Sequence, residues 1–113
     1  MLPFVHRLRL ETDIKTLFAR GKSVFGLLVG MKMAKNEVGV TRFAVVVGTK
    51  ISKRAVVRNR LRRQLRGILL KHLTEFKPGF DVILMPKKEA IGKTSKVLEQ
   101  DLLTTITRKT RLL

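Results

Sequence analysis

KISKRAVVRNRLRRQLRGILLKHL, residues Lys50–Leu73, is the stretch from which the rest of the chain is best read. Val57, Leu61, Leu65, Ile68, Leu69 and Leu73 recur at helical spacing, so the segment from Arg54 to Leu73 is expected to be a helix with one core-facing stripe. At roughly 100° per residue, Asn59, Arg62, Arg63 and Arg66 fall at i, i+3, i+4 and i+7 on the opposite face. Arg58 and Arg60 flank the two faces. Like charges at these spacings repel one another when unpaired. From Val38 to Thr74 there are ten Lys or Arg residues and no Asp or Glu, so the compensating anions must come from outside the segment.

The whole chain shares this imbalance. It has 113 residues, 25 basic and 8 acidic, for a net charge of +17, yet 44% of it is hydrophobic. That apolar content separates it from disordered polyelectrolytes, and the length suits a single domain spanning residues 1–113. A surplus of this size destabilises a compact state by self-repulsion, which points to a polyanionic partner, with nucleic acid the leading candidate. Heat adaptation would enrich Glu together with Lys and Arg as ion-pair networks, and here the acids are missing. The lack of cysteine excludes disulfides and thiolate metal sites and suits a reducing cytoplasm. No apolar run approaches the ~18 residues of a membrane span, and MLPFVHRLRLETD lacks a signal-peptide core, so a soluble protein without membrane contact is expected.

Working outward from the basic helix, LETDIKTLFARG reads as a short helix with Thr12 as candidate N-cap, Ile14, Leu17 and Phe18 on one face, and Gly21 as its stop. SVFGLLVGMKMA and VGVTRFAVVVGTK are rich in apolar and β-branched residues and flank KNE, the pattern of two strands joined in a hairpin. A further short strand is expected around Thr49–Ser52. After the basic helix, KPGFDVILMPKK gives a turn at Pro78–Gly79 and a buried strand, and KVLEQDLLTTITRK gives a last helix capped by Thr94 or Ser95. The expected fold is α+β, in αβββαβα order, with a small central sheet packed by helices.

Arginine suits the exposed face because its planar fork binds phosphate oxygens bidentately and stacks on bases. Two other uses of such a face stay open: a solvated surface paired with distant acids, for which only eight exist, and a membrane-surface helix, which would need the apolar stripe that the core requires. Protein catalysis finds little support. Imidazole chemistry needs two placed histidines, and the chain has only His6 and His72, the latter near the apolar edge of the basic helix. Glu11, Asp13, Glu37, Glu75, Asp81, Glu89, Glu99 and Asp101 are too scattered to suggest a metal nuclease, Asp81 beside the buried strand being the most suggestive. Phosphate-binding loops, dinucleotide fingerprints and nucleophile elbows are absent from the sequence.

KRAVVRNRLRRQLR resembles the arginine-rich signature of the bacterial ribonuclease P proteins. Arg58, Asn59, Arg60, Arg62, Arg63 and Arg66 match that signature one by one, and Lys53, Arg54 and Ala55 match its lead-in. RLRLETDIKTLFARG is similar to the family's opening helix, TRFAVVVGTK to the strand before the signature and PGFDVILMPK to the strand after it. The chain departs from the pattern at Ile14, where many members have an aromatic residue, at Thr49, which replaces one of two usual lysines, and at Gly67, where an acid is common.

The resemblance implies a two-layer sandwich like a ribosomal-protein domain, with a left-handed βαβ crossover where general rules would give a right-handed one. It implies a protein subunit, one per RNA, of an RNA enzyme that hydrolytically removes the 5′ leader from precursor tRNA. In that scheme the catalytic RNA performs the chemistry, with Mg²⁺ held mainly by RNA and substrate, and this chain supplies no catalytic residue. The arginine signature with Lys53 and Arg54 would face the catalytic RNA, Arg7 and Arg9 would be further RNA contacts, and Ile14, Phe18 and Phe43 would line a cleft for the single-stranded leader. Either phenyl ring could stack on leader bases, although Phe in such settings usually packs in the core. A purely structural RNA-binding role, such as that of a ribosomal component, is the alternative from another class.

Overall fold

The computed structural model describes residues 2–113. Seven main elements follow in the order α1 (Glu11–Arg20), β1 (Lys22–Phe25), β2 (Val29–Lys35), β3 (Arg42–Val45), α2 (Ala55–Lys71), β4 (Phe80–Pro86) and α3 (Ser95–Lys109). The order αβββαβα is the expected one, but its strands are cut differently. SVFGLLVGMKMA is two strands, β1 and β2, paired antiparallel from Lys22↔Met33 to Phe25↔Gly30. The chain breaks at Gly26, where a Cβ would collide with Thr105 Oγ1, and the turn is held from afar: Asp101 accepts from the backbone N–H groups of Leu27 (3.0 Å), Leu28 (3.0 Å) and Val29 (3.1 Å). Thr49–Ser52 forms a turn leading into α2 and not a strand.

The expected hairpin across KNE does not form either. The sheet order is β1-β2-β4-β3, so β4 lies between the two strands that were expected to pair. It runs antiparallel to β2 from Val29↔Pro86 to Lys35↔Phe80 and parallel to β3 from Arg42↔Asp81 to Val45↔Leu84. Adjacent parallel strands need a crossover, and α2 supplies it. β4 earns the centre because VILM is apolar on both faces: Val82 and Leu84 point to one side, Ile83 to the other, all without exposure.

Those two faces bury two clusters. On one, α2 contributes Leu61, Leu65, Ile68 and Leu69, α3 contributes Leu98, Leu102 and Ile106, and both pack on Val29, Met31, Phe43, Val45, Val82 and Leu84. Each such buried aliphatic side chain contributes about 1.5–3 kcal/mol. On the other face α1 lays Leu17, Ile14 and Phe18 over Ile83, Ala34, Ala44, Val46 and Met85. Helix α1 begins one residue earlier than its expected cap, with Leu10 at the N-cap and Thr12 inside the first turn. Thr94 does cap α3, its hydroxyl accepting from the Val97 N–H at 3.3 Å. Gly79, at φ +92°, closes the turn into β4 with a conformation that disfavours side chains.

Two polar links fasten the layers. Asp81 receives Arg42 through Nε (2.9 Å) and Nη2 (2.8 Å), and Asn36 Nδ2 at 2.8 Å, with Asp13 of α1 3.7 Å from Arg42 Nη2. The hydrogen bond to Asp81 raises the Arg42 pKa further above its ordinary value against a desolvation cost. Asp81 is therefore occupied structurally. At the other end of the core, His72 Nε2 lies 2.6 Å from Glu99 and Nδ1 2.6 Å from Glu75, while Lys71 Nζ reaches Glu99 at 3.1 Å. Two carboxylates facing both ring nitrogens favour the doubly protonated ring, in which both donate. Its pKa is raised, chiefly by Glu99, and that of Glu99 is lowered, chiefly by His72.

Candidate nucleic-acid interface

Helix α2 forms where the sequence places it, and its buried stripe leaves the arginines outside. Asn59, Arg60, Arg63 and Arg66 are exposed and Arg62 half-exposed. Asn59, Arg62, Arg63, Arg66 and Gly67 together line a shallow surface concavity of about 410 Å³. Asn59 Oδ1 accepts from Arg62 Nη1 at 2.7 Å, so this guanidinium is held in place before any ligand arrives. Arg58 differs: its Nη1 donates to the Ser52 carbonyl at 3.0 Å, tying the loop before α2 to the helix. Lys53 and Arg54 are exposed at the helix entry, beside a second basic hollow formed by Thr49–Lys53 and Lys88.

A groove of about 330 Å³ runs along the free edge of β3. It is lined by Phe43, Ala44, Val45 and Val46 of the strand and its extension, by Leu2, Leu8 and Ile14, and by the cations Arg7, Arg9 and Arg66. The extended segment after the first turn builds this edge: Leu8 N–H donates to the Phe43 carbonyl at 2.9 Å, and Arg7 is bridged to Phe43 in parallel register. Arg7 is anchored by its Nε to the Leu2 carbonyl at 2.7 Å. The Arg9 guanidinium sits 4.0 Å over the ring of Phe4, which is 61% exposed. Arg66 lines both this groove and the α2 concavity, making them one continuous surface.

The three expected cleft residues separate. Ile14 lines the groove. Phe18 is half-buried in the cluster under α1 and outside the groove lining. Phe43 also lines the groove, but its ring is 2% exposed, in the cluster on the α2/α3 side of the sheet and 5.0 Å from the ring of Phe76, so it packs in the core as Phe on a strand usually does. Strand alternation explains this, since Ala44 and Val46 take the groove side. An exposed ring lies beside the groove at Phe4, under the guanidinium of Arg9, and sequence reasoning did not single it out; the one available signal was an aromatic five residues before an arginine in a chain poor in aromatics.

The two histidines do not meet. His6 Nδ1 is 2.8 Å from the Thr41 carbonyl, and His72 is in the clamp with Glu75 and Glu99. Among the described residues no group of three or more His, Asp or Glu side chains could hold a metal ion, and no helix is long and apolar enough to cross a membrane. The arrangement presents guanidinium groups suited to binding phosphates.

A family model described as Ribonuclease P matches residues 2–110. The ribonuclease P protein component of Synechococcus elongatus is 40% identical over 111 residues, covering 91% of each chain. That of Synechocystis is 35% identical over 92 residues, covering 80% of this chain and 74% of its own. The solved structure of the Thermotoga maritima protein superimposes with a TM-score of 0.81 at 28% identity, covering 90% of this chain and 96% of the other.

Proposed function

The chain belongs to the ribonuclease P protein family, and on that premise we propose that its two adjoining basic surfaces hold two different RNAs at once. It is the noncatalytic protein subunit of the ribonuclease P holoenzyme and acts in tRNA processing. Its partner is the ribonuclease P RNA, one protein to each RNA, with residues 1–113 acting as a single binding unit. The α2 face, Asn59, Arg60, Arg62, Arg63 and Arg66 with Lys53 and Arg54, docks on that RNA. The groove along β3 takes the single-stranded 5′ leader of precursor tRNA, whose bases meet Ile14 and Ala44 and whose phosphates meet Arg7, Arg9 and Arg66.

The observation that carries this reading is Arg66, shared by groove and helix face. A strand in the groove then lies within one guanidinium of the RNA bound to α2, which brings leader and catalytic RNA together. Mg²⁺ does not fit a site of its own on the described residues, whose carboxylates are dispersed or engaged with Arg42, His72 and the β1–β2 turn. Hydrolysis would take its metal from the RNA and the substrate. The protein's part is to bind and align, consistent with a location in the cytoplasm, where precursor tRNA is made in bacteria.

Single-turnover cleavage of precursor tRNA by a bacterial ribonuclease P RNA, at low Mg²⁺, with and without this protein, tests the reading. Stimulation that needs a long leader supports it. Equal stimulation of trimmed and long leaders removes the leader from the groove.

A further inference from the structure

A second basic groove lies at the opposite end of the sheet and belongs to neither surface above. It encloses about 740 Å³ and is walled by Lys22, Lys35, Lys77, Arg108, Lys109 and Arg111, over a floor that includes Met33 and Phe80. No carboxylate lines it. All six cations are exposed, and none forms an ion pair among the described residues, where the available acids pair with Lys15, Arg42, Lys71 and His72. Among the described residues only the Lys109 side chain has a protein acceptor, the Phe25 carbonyl at 2.7 Å.

Favourable interaction with the α3 dipole accounts for Arg108 and Lys109, which sit in that helix's last turn. It does not account for Lys22, Lys35 and Lys77, which arrive from the start of β1, the end of β2 and the turn before β4. Six like charges converging from four segments repel, and a polyanion threaded between them removes the repulsion. The groove stands at the Phe80 end of β4, whereas α2 starts beyond the Pro86 end, about 20 Å away along the strand at ~3.3 Å per residue. Of its apolar lining, Met33 and Phe80 belong to the cluster under α2 and α3 and Ala34 to the one under α1, so the groove wraps the Phe80 end of the sheet and shares no lining residue with the leader groove.

We propose that this groove is a second docking site for the phosphate backbone of the ribonuclease P RNA, independent of the α2 face. The proposal rests on the reading that α2 docks on that RNA: one wall of the groove is the end of α3, which packs beside α2 on the same face of the sheet, so an RNA covering that helix layer can reach both.

The test measures binding of the ribonuclease P RNA alone, without precursor tRNA, between 50 and 200 mM salt. Arg108→Gln/Arg111→Gln is compared with wild type, with Arg60→Ala/Arg63→Ala in the α2 face, and with Lys15→Gln/Arg20→Gln, a control of equal charge loss on α1. Two lost phosphate contacts make the salt slope shallower by about 1.4, so wild type loses about sevenfold more affinity over this range than the groove variant. The α1 control should keep the wild-type slope. A groove variant with wild-type slope, while the α2 variant is weakened, overturns the groove and leaves the α2 reading standing; wild-type slopes in both overturn both. Equal weakening of the α1 control reduces the effect to net charge, and weakening seen only when precursor tRNA is added assigns the groove to the substrate; either overturns the proposal. Should circular dichroism show the groove variant unfolded, Lys35→Gln/Lys77→Gln from the other wall gives the same reading.

Discussion

Arg60 and Arg63 are exposed and without protein acceptors among the described residues, whereas Arg58 holds the Ser52 carbonyl, so substitutions along one helix face should divide into two kinds. If Arg60, Arg62, Arg63 and Arg66 with one of the lead-in cations neutralise five RNA phosphates, this face contributes about −3.5 to the salt slope, roughly a hundredfold in affinity between 50 and 200 mM salt. Arg60→Ala/Arg63→Ala removes two of the five contacts. The contribution of this face is then about −2.1, and its share of the loss over the same range roughly twentyfold. Folding should be unchanged, because neither guanidinium holds anything in the protein. Arg58→Ala instead leaves the Ser52 carbonyl without its partly buried donor and should cost about 1–2 kcal/mol of stability. Filter binding to the RNA over a salt series, with urea denaturation of each variant, reads both quantities. A double variant that unfolds, or that binds with the wild-type slope, would refute the assignment of this face to phosphates.

The β1–β2 turn depends on three charge-assisted hydrogen bonds to Asp101, so Asp101→Ala should cost about 2–4 kcal/mol by urea denaturation, and a loss under 0.5 kcal/mol would show that water replaces the carboxylate freely. The His72 clamp should make stability depend on pH. Its pKa is raised above the ordinary 6.5, so its contribution is full below that value and is lost as pH rises through the raised one; that of Glu99 is lowered from 4.5, so its contribution is lost only as pH falls below that range. Wild type should therefore lose more stability than His72→Gln between pH 6 and 9, and parallel curves would contradict the clamp. Phe4→Ala should weaken binding of long-leader precursor tRNA to the holoenzyme by about 1–3 kcal/mol and leave trimmed substrates unaffected, whereas equal effects on both would remove the ring from leader stacking.

Much of this molecule is local and therefore readable from sequence. The α2 stripe and its opposed arginines follow from helical spacing, and Leu61, Leu65, Ile68 and Leu69 are buried as that spacing requires. What could not be read depends on distant partners. The break inside SVFGLLVGMKMA is fixed by Asp101, more than 70 residues away, and without that carboxylate the run looks like one strand. The hairpin expected across KNE fails because β4 pairs with both neighbours, a competition invisible to local pattern. In the groove, Arg7, Arg9, Ile14 and Arg66 could each be singled out from sequence but their meeting could not, and the side of the sheet taken by Phe43 depends on strand register, which neither composition nor resemblance specifies. Phe4 was missed because it lies in a short 3₁₀ turn with no periodicity.

The central position of β4 bears on synthesis. Ribosomes make the chain from its N-terminus, so β2, β3 and the whole of α2 exist before the strand that joins them. Until residues 80–86 emerge, β2 and β3 have no common neighbour, and the hairpin turn waits longer still, for residue 101. The arginine-rich segment is thus translated with no sheet to bury its apolar stripe, and it leaves the exit tunnel as a cationic, unseated stretch amid ribosomal RNA. Folding that waits for residues 80–101 leaves the nascent chain reliant on prompt synthesis of that stretch or on chaperones.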